Sequence, residues 1–249
     1  MLFSNVVIFV LSFAISKSSA IPVVYNSNST AQFEEAGSTA ITGWAEPFFP
    51  RIHHTCNETN ARMLTPALKD SLEVSAYAKN RLLNYGKDNT FYQRWFGNGS
   101  IFTVYGVLDY LVESAKDGIL YRCDDVDGQC ATHSTTWPGY HRSSAPKETV
   151  ICDLFYNSKK PLSTICSDGT ILEVGPKHYA GVDLLHRYLH VPSMSSDGYI
   201  AGYAEELSEV LDYAKHNSTY AVRNVDSYLH YLADVYSTAV IPGGCMGSL

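Results

Sequence analysis

Two histidines, His186 and His190, stand four residues apart in a stretch that contains no helix breaker before Pro192. On an α-helix this spacing places both imidazoles on one face, a little over one turn apart. Such a pair offers two nitrogens to one tetrahedral Zn²⁺, and zinc metallopeptidases use it within the pattern His-Glu-x-x-His. The spacing therefore predicts a metal-binding helix, while the alternative that the pair arose by chance and binds nothing stays open.

The residue that follows the first histidine is Arg187, where the metallopeptidase pattern has Glu. A guanidinium stays protonated at biological pH, so it cannot take a proton from a zinc-bound water. A cation next to Zn²⁺ is also unfavourable unless it is paired or turned away. The sequence thus keeps the metal-binding half of the pattern and lacks the catalytic half. We expect the guanidinium to pair with Asp183, one turn back.

The two ends of the chain differ in character. Residues 1–20 are predicted to be a secretory signal peptide, because an apolar core at 6–15 precedes small residues at a typical cleavage site. This core is too short to cross a bilayer, so we expect no membrane span. Residues 21–50 are predicted to form an irregular N-terminal segment. The remainder, residues 51–249, has a length that suits a single domain.

Composition indicates an extracellular glycoprotein. The formal net charge is −7 and no basic patch is present, so nucleic acid is not an expected partner. Six cysteines in a secreted chain predict three disulfides. Asn-x-Ser/Thr sequons predict glycosylation at four asparagines, which are Asn28, Asn57, Asn98 and Asn217.

The histidine pair is predicted to lie on a helix over residues 177–190, and apolar periodicity predicts the elements around it. Further helices are predicted at 66–85, 101–115, 200–215 and 225–240, with a short one around 91–96. Strand-like segments at 119–123, 148–156 and 170–174 predict a small antiparallel sheet. A sheet of this size is marginal alone and needs support from the helices and the disulfides.

Three further segments carry a resemblance to a known family. They are the cysteine-flanked turn at 121–130, the cysteine pair within 152–166, and the Asn-Val-Asp-Ser-Tyr segment at 224–228. In their order and spacing around His186 and His190, they resemble the fungal aspzincins of the deuterolysin type. The chain is more similar still to their secreted relatives, the pH-regulated and zinc-regulated fungal surface antigens with a His-Arg-x-x-His motif.

The resemblance implies a mostly helical α+β fold of the zincin type, with a small antiparallel sheet edging the cleft. It also implies a Zn²⁺ held by His186, His190 and an Asp, which corresponds to Asp197 in the loop after the second histidine. Glu205 and Glu206 remain the alternatives for the third ligand. The implied disulfides are Cys56–Cys123, Cys130–Cys152 and Cys166–Cys245, with a bridge between Cys123 and Cys130 as the rival pairing.

The resemblance bears on function through a second departure from the peptidase pattern. The tyrosine that the family uses in the transition state corresponds to Phe155, which has no hydroxyl, and Tyr156 is its neighbour. We therefore expect a secreted zinc-binding glycoprotein of the cell surface or wall, serving zinc capture. Its expected partners are the zinc ion and either cell-wall components or a zinc transporter. The alternatives are an active metalloendopeptidase whose base is Glu205 or Glu206, and a structural wall glycoprotein with vestigial histidines.

Overall fold

The computed structural model describes residues 50–116 and 118–249, so the predicted signal peptide, Asn28 and residues 21–49 lie outside the described part. In this part, helices dominate and strands are short. The helices are α1 Glu58–Tyr85, α2 Thr90–Phe96, α3 Ile101–Glu113, α4 Gln129–Thr132, α5 Asp153–Ser158, α6 Ile171–Val174, α7 Ala180–Leu189, α8 Leu207–His216, α9 Ser218–Ala221 and α10 Val225–Val240. The strands are β1 Arg51–Ile52, β2 Leu120–Arg122, β3 Gly139–His141 and β4 Glu148–Ile151, and two 3₁₀ turns span Leu162–Thr164 and Pro176–His178. None of the described helices is both long and apolar enough to cross a membrane.

The sheet has the strand order β1-β2-β4-β3 and is mixed. β1 pairs with β2 and β2 with β4 in parallel, whereas β3 and β4 are antiparallel. The α+β class is confirmed, but the expectation of an antiparallel sheet was wrong for two of the three pairings. The reason is connectivity: α1, α2 and α3 separate β1 from β2 and supply the long crossover that parallel strands require. Only β3 and β4 are joined by a short connection, residues 142–147, that suits a hairpin.

Three predicted elements have a different form in the structure, and one of them, the strand predicted at 148–156, ends at Ile151 and is followed by helix α5. The predicted strand at 170–174 is helix α6, whose N-cap Thr170 forms a capping box with Glu173. A short apolar run does not distinguish strand from helix by pattern, although Thr-x-x-Glu is a helix-start signature. The predicted helix over 200–215 begins only at Leu207, because the buried Asn224 side chain accepts hydrogen bonds from the backbone of Tyr203 and Ala204. These contacts hold residues 200–206 as a loop.

Helix α7 lies at the centre of the fold. It packs against α1 and α10, and each of its residues except His186 is buried. Gly181 permits the close approach of α7 to α1: a Cβ placed there would lie 2.6 Å from Asp70 Cβ and 2.8 Å from the backbone nitrogen of Ser71. Burial of the helix on nearly all sides therefore fixes which of its residues can face solvent.

Three disulfides join distant parts of the described chain, and their pairing is the one that the resemblance implies. Cys56–Cys123 links the start of α1 to the end of β2, and Cys130–Cys152 links α4 to the start of α5. Cys166–Cys245 closes the longest loop, with a sequence separation of 79. On chain-entropy grounds a loop of that length contributes about 4 kcal/mol by restricting the unfolded chain.

The contact at Gly181 yields a stability prediction. We expect Gly181→Ala to lower the free energy of unfolding by about 1–3 kcal/mol, because backbone atoms of α1 cannot move away from the added methyl group. Gly106, in the interior of α3, provides the matched control, because a Cβ added there would meet no atom within 4 Å. Gly106→Ala is expected to raise the free energy of unfolding by about 0.5–1 kcal/mol. Urea denaturation followed by circular dichroism measures both, and equal shifts in the two variants would contradict the packing argument.

Candidate metal centre

The two histidines converge at the end of α7. His186 lies in the last turn and His190 is the C-cap, and their Nε2 atoms are 3.1 Å apart. A tetrahedral ion with Zn–N bonds of 2.0–2.1 Å holds two nitrogens about 3.3 Å apart. The pair therefore needs little rearrangement to bind one zinc ion. Without metal, the same distance corresponds to a hydrogen bond between the two rings.

Both imidazoles are neutral at physiological pH. Burial, and after it the positive charge of Lys177, lowers the pKa of His186 to about 2. Burial also lowers the pKa of His190, although the carboxylate of Glu205 opposes this effect. A neutral imidazole keeps a nitrogen lone pair available, which is the form that binds metal.

Arg187 is committed to a buried ion pair. It is 8% exposed, and its Nε donates to Asp183 Oδ2 over 2.8 Å, as the spacing predicts. Asp183 is 1% exposed and also receives the ammonium of Lys159 at 2.9 Å. The guanidinium lies against Gly139 of β3, where a Cβ would come within 2.8 Å of Nη1. The arginine thus links α7 to the edge strand.

The histidines line an open cleft of about 550 Å³. Residues 136–141, which include β3 and the loop before it, form one side of the lining. His186 and Arg187 of α7 and its C-cap His190 also line the cleft, as do Lys159, Lys177, Asp183 and Glu205. The strand that edges this cleft is β3, in agreement with the expected position of the sheet.

The proposed third ligands occupy different places. Asp197 is exposed, has a left-handed φ of 53° and does not line the cleft, whereas Glu205 does. Glu206 is the N-cap of α8 and is also absent from the lining. Among residues 50–116 and 118–249, no three His, Cys, Asp or Glu side chains are close enough together to hold a metal. The structure thus brings His186, His190 and Glu205 into one cleft, and the assignment of Asp197 stays a prediction.

Neither Phe155 nor Tyr156 reaches this cleft. Phe155 is 2% exposed and belongs to a core cluster with Leu64 and Leu184. The Tyr156 hydroxyl lies 3.0 Å from Cys123 Sγ. Both residues are on helix α5 rather than on the predicted strand, which ends at Ile151.

Lys177 lines the cleft together with the histidines and is paired with the buried Asp226, and sequence reasoning missed this ion pair. The Lys177 Nζ is 2.9 Å from Asp226 Oδ1 and 3.5 Å from Glu205 Oε2. Burial alone would lower the pKa of Lys177, but attraction to Asp226 and Glu205 outweighs it and raises that pKa, so the ammonium stays charged. Asp226 lies in the first turn of α10, where an acidic residue is normally interpreted from sequence as interacting with the helix dipole. Its pairing with a distant lysine has no sequence signal.

Three of the four predicted glycosylation sites lie in the described part of the chain. Asn57, Asn98 and Asn217 are all exposed, as attachment of a glycan requires. Asn57 also caps α1, because its Oδ1 accepts a hydrogen bond from the backbone nitrogen of Asn60. A glycan is attached through Nδ2 and leaves this oxygen free to act as the cap.

Comparison with known proteins gives matches over most of the chain. The model of the "HRXXH: Putative peptidase family" matches residues 4–248. Protein ZPS1 of Saccharomyces cerevisiae is 64% identical, over 92% of both chains. The pH-regulated antigen PRA1 of Candida albicans is 34% identical, over 98% of this chain and 80% of the relative. Antigen 1 of Emericella nidulans is 38% identical, over 80% and 72% respectively.

A solved structure confirms the type of fold. The zinc peptidase from Grifola frondosa superposes with a TM-score of 0.52 at 16% identity, covering 71% of this chain and 96% of that one. At this identity the likeness concerns the fold alone, which is that of a zinc peptidase. Because the family model spans nearly the whole chain, and the His186-Arg187-Tyr188-Leu189-His190 segment carries its pattern, this chain belongs to the HRXXH family.

Proposed function

We propose that this chain is an extracellular zinc-binding protein, which uses a zinc-peptidase scaffold to capture the ion at the fungal cell surface. The observation that carries the proposal is the pair of neutral imidazoles, with Nε2 atoms 3.1 Å apart, beside an open cleft. Nitrogen ligands at this separation suit Zn²⁺, which accepts His and carboxylate ligands in tetrahedral sites.

The donors present fit a site with two fixed ligands and one that moves. His186 and His190 would hold the ion, and Glu205 of the same cleft would supply a carboxylate, in competition with Asp197 from the family resemblance. The Glu205 side chain is 66% exposed and is therefore free to change its rotamer. Gly202, in the same loop, lies against the His190 ring, so the loop already reaches the pair. When bound, zinc acts as a Lewis acid that acidifies a coordinated water.

Capture is favoured over hydrolysis because the cleft lacks a free base at the required position. The side chain that follows His186 is a protonated guanidinium bound to Asp183, and Glu205 is paired with Lys177. Loss of a positioned general base typically costs ~10²–10⁴ in rate. Peptide hydrolysis remains the second candidate function because the family is described as one of peptidases. A structural role in the cell wall is the third.

An extracellular location is supported by chemistry of the chain itself. Three disulfides require an oxidising compartment, and the exposed sequons suit a secretory route. Relatives named as antigens agree with exposure at the cell surface. We propose that the partners are the zinc ion and either wall components or a zinc transporter.

Zinc titration tests the proposal. Isothermal titration of the wild-type protein should give one Zn²⁺ per chain, and His186→Ala should weaken binding by at least roughly a hundredfold, because a two-ligand site retains little affinity. His216→Ala is the matched control, since His216 is exposed and paired with Asp212 on α8. It should leave affinity unchanged. Asp197→Asn and Glu205→Gln, measured in the same way, decide which carboxylate is the third ligand.

Peptidase activity provides the opposing result. Chelator-sensitive cleavage of casein by the wild-type protein would contradict the proposal of capture and favour the second candidate. Absence of zinc binding together with intact folding would favour the structural role.

The buried ion pair of Arg187 predicts a large loss of stability when its charge is reversed. Arg187→Glu places a second carboxylate against buried Asp183 and should lower the free energy of unfolding by about 3–5 kcal/mol. Arg62→Glu is the matched control, because Arg62 forms an i,i+4 pair with Glu58 that is 71% exposed on both sides. It should cost no more than about 1 kcal/mol. Thermal and urea denaturation measure the free energies of unfolding. Equal losses in the two variants would show that the buried ion pair of Arg187 does not stabilise the fold.

A further inference from the structure

The ammonium of Lys177 is the feature of the cleft that the proposed zinc site does not explain. Lys177 lies on the 3₁₀ turn Pro176–His178, immediately before α7, and points between two carboxylates. Its Nζ is 2.9 Å from Asp226 Oδ1 and 3.5 Å from Glu205 Oε2. The ammonium thus contacts Glu205, which lines the cleft together with both histidines. The Glu205 side chain is exposed enough to change its position.

Asp226 holds this ammonium in place. Its carboxylate is 1% exposed, and among the described residues neither oxygen has a hydrogen-bonding partner other than this ammonium. The ionic contact with Lys177 is therefore what offsets the burial of the negative charge. Departure of the lysine would leave an uncompensated charge in the interior, which is strongly unfavourable. Of the two partners of Lys177, only Glu205 is free to leave.

The second lysine of the cleft behaves differently. Lys159 Nζ contacts Asp183 Oδ1 at 2.9 Å and the backbone oxygen of Lys177 at 2.6 Å. Both contacts direct it towards the interior pair of Asp183 and Arg187 and away from Glu205. Lys159 thus supplies a positive charge in the same cleft without holding a candidate ligand.

We propose that Lys177 is a built-in competitor of the metal ion: anchored by Asp226, its ammonium occupies Glu205 and lowers the zinc affinity of the His186–His190 site. The inference rests on the proposed zinc site and adds how its affinity is set. A bound ion has to take Glu205 from the lysine and remain close to a fixed positive charge. Both requirements weaken binding, so the site exchanges zinc rather than retaining it. Reversible loading suits a protein that captures an ion and then delivers it.

The test removes the competitor without leaving Asp226 unbalanced. The variant Lys177→Met/Asp226→Asn replaces both charges by neutral side chains of similar size, so the interior stays free of an unpaired charge. Zinc affinity is measured by competition with a chromogenic chelator for this variant and for the wild type. The double change should tighten binding by roughly tenfold or more, since it frees Glu205, while the lost repulsion from Lys177 is offset by the lost attraction of Asp226.

A double-mutant cycle with Glu205→Gln distinguishes two effects of Lys177: competition with zinc for Glu205, and electrostatic repulsion of the ion. In the Glu205→Gln background, removal of the Lys177 and Asp226 charges should improve affinity by no more than roughly threefold, because no carboxylate is left to release. Lys159→Met is the matched control: its small gain should be the same with and without the Glu205→Gln change. Circular dichroism and thermal denaturation of each variant verify that the fold is retained.

Each outcome bears on the proposal. An unchanged affinity in the double variant, in a wild-type protein that binds zinc, overturns it, as does a tenfold gain that persists in the Glu205→Gln background. If the wild type binds no zinc but the double variant does, the competitor is supported and the proposed capture function fails. If neither protein binds zinc, both proposals are wrong.

Discussion

The burial of α7 is the constraint on which the rest of the structure depends. The helix is covered by α1 and α10, and the close contact at Gly181 leaves no space for a longer side chain. Only His186 within the helix escapes full burial, and His190 follows at the exposed C-cap. The position of the imidazoles is therefore set by the packing of the whole domain. If these imidazoles bind an ion as proposed, rigid packing around them reduces the conformational entropy that binding has to overcome.

Two buried aspartates organise the charges around these histidines. Asp183 binds Arg187 and Lys159, and Asp226 binds Lys177, so three cations are held near the cleft by negative groups of the interior. Each aspartate is 1% exposed, and each would be costly without its partner. With Glu205, the three carboxylates balance the three cations, so the charges of this cluster cancel in a chain whose net charge is −7. Arg187, which stands where the His-Glu-x-x-His pattern has Glu, is thus part of the packing of the domain.

The sequence predicted those features that depend on neighbours along one helix. Apolar periodicity gave α10 with its observed bounds, and the i,i+4 spacing gave both the histidine pair and the contact of Arg187 with Asp183. Contacts between separate elements could not be predicted from periodicity along one helix. The loop at 200–206 depends on the buried amide of Asn224, and the charge cluster at Lys177 joins a 3₁₀ turn to α10. The proposed third ligand is of this second kind, because both candidates, Asp197 and Glu205, lie in a loop whose path no periodicity specifies.

The crossover between β1 and β2 has a consequence for the order of folding. β1 contains two residues, and its partner in the sheet lies beyond three intervening helices. Closing a loop of that length costs conformational entropy, and the pairing of only two residues offsets little of it. We therefore expect the first strand to join the sheet late in folding. The Cys56–Cys123 bridge spans the same crossover and removes that entropic cost once it is formed. In a reducing compartment that cost would remain, so we expect the pairing of β1 with β2 to be the part of the sheet that loss of this bridge weakens most.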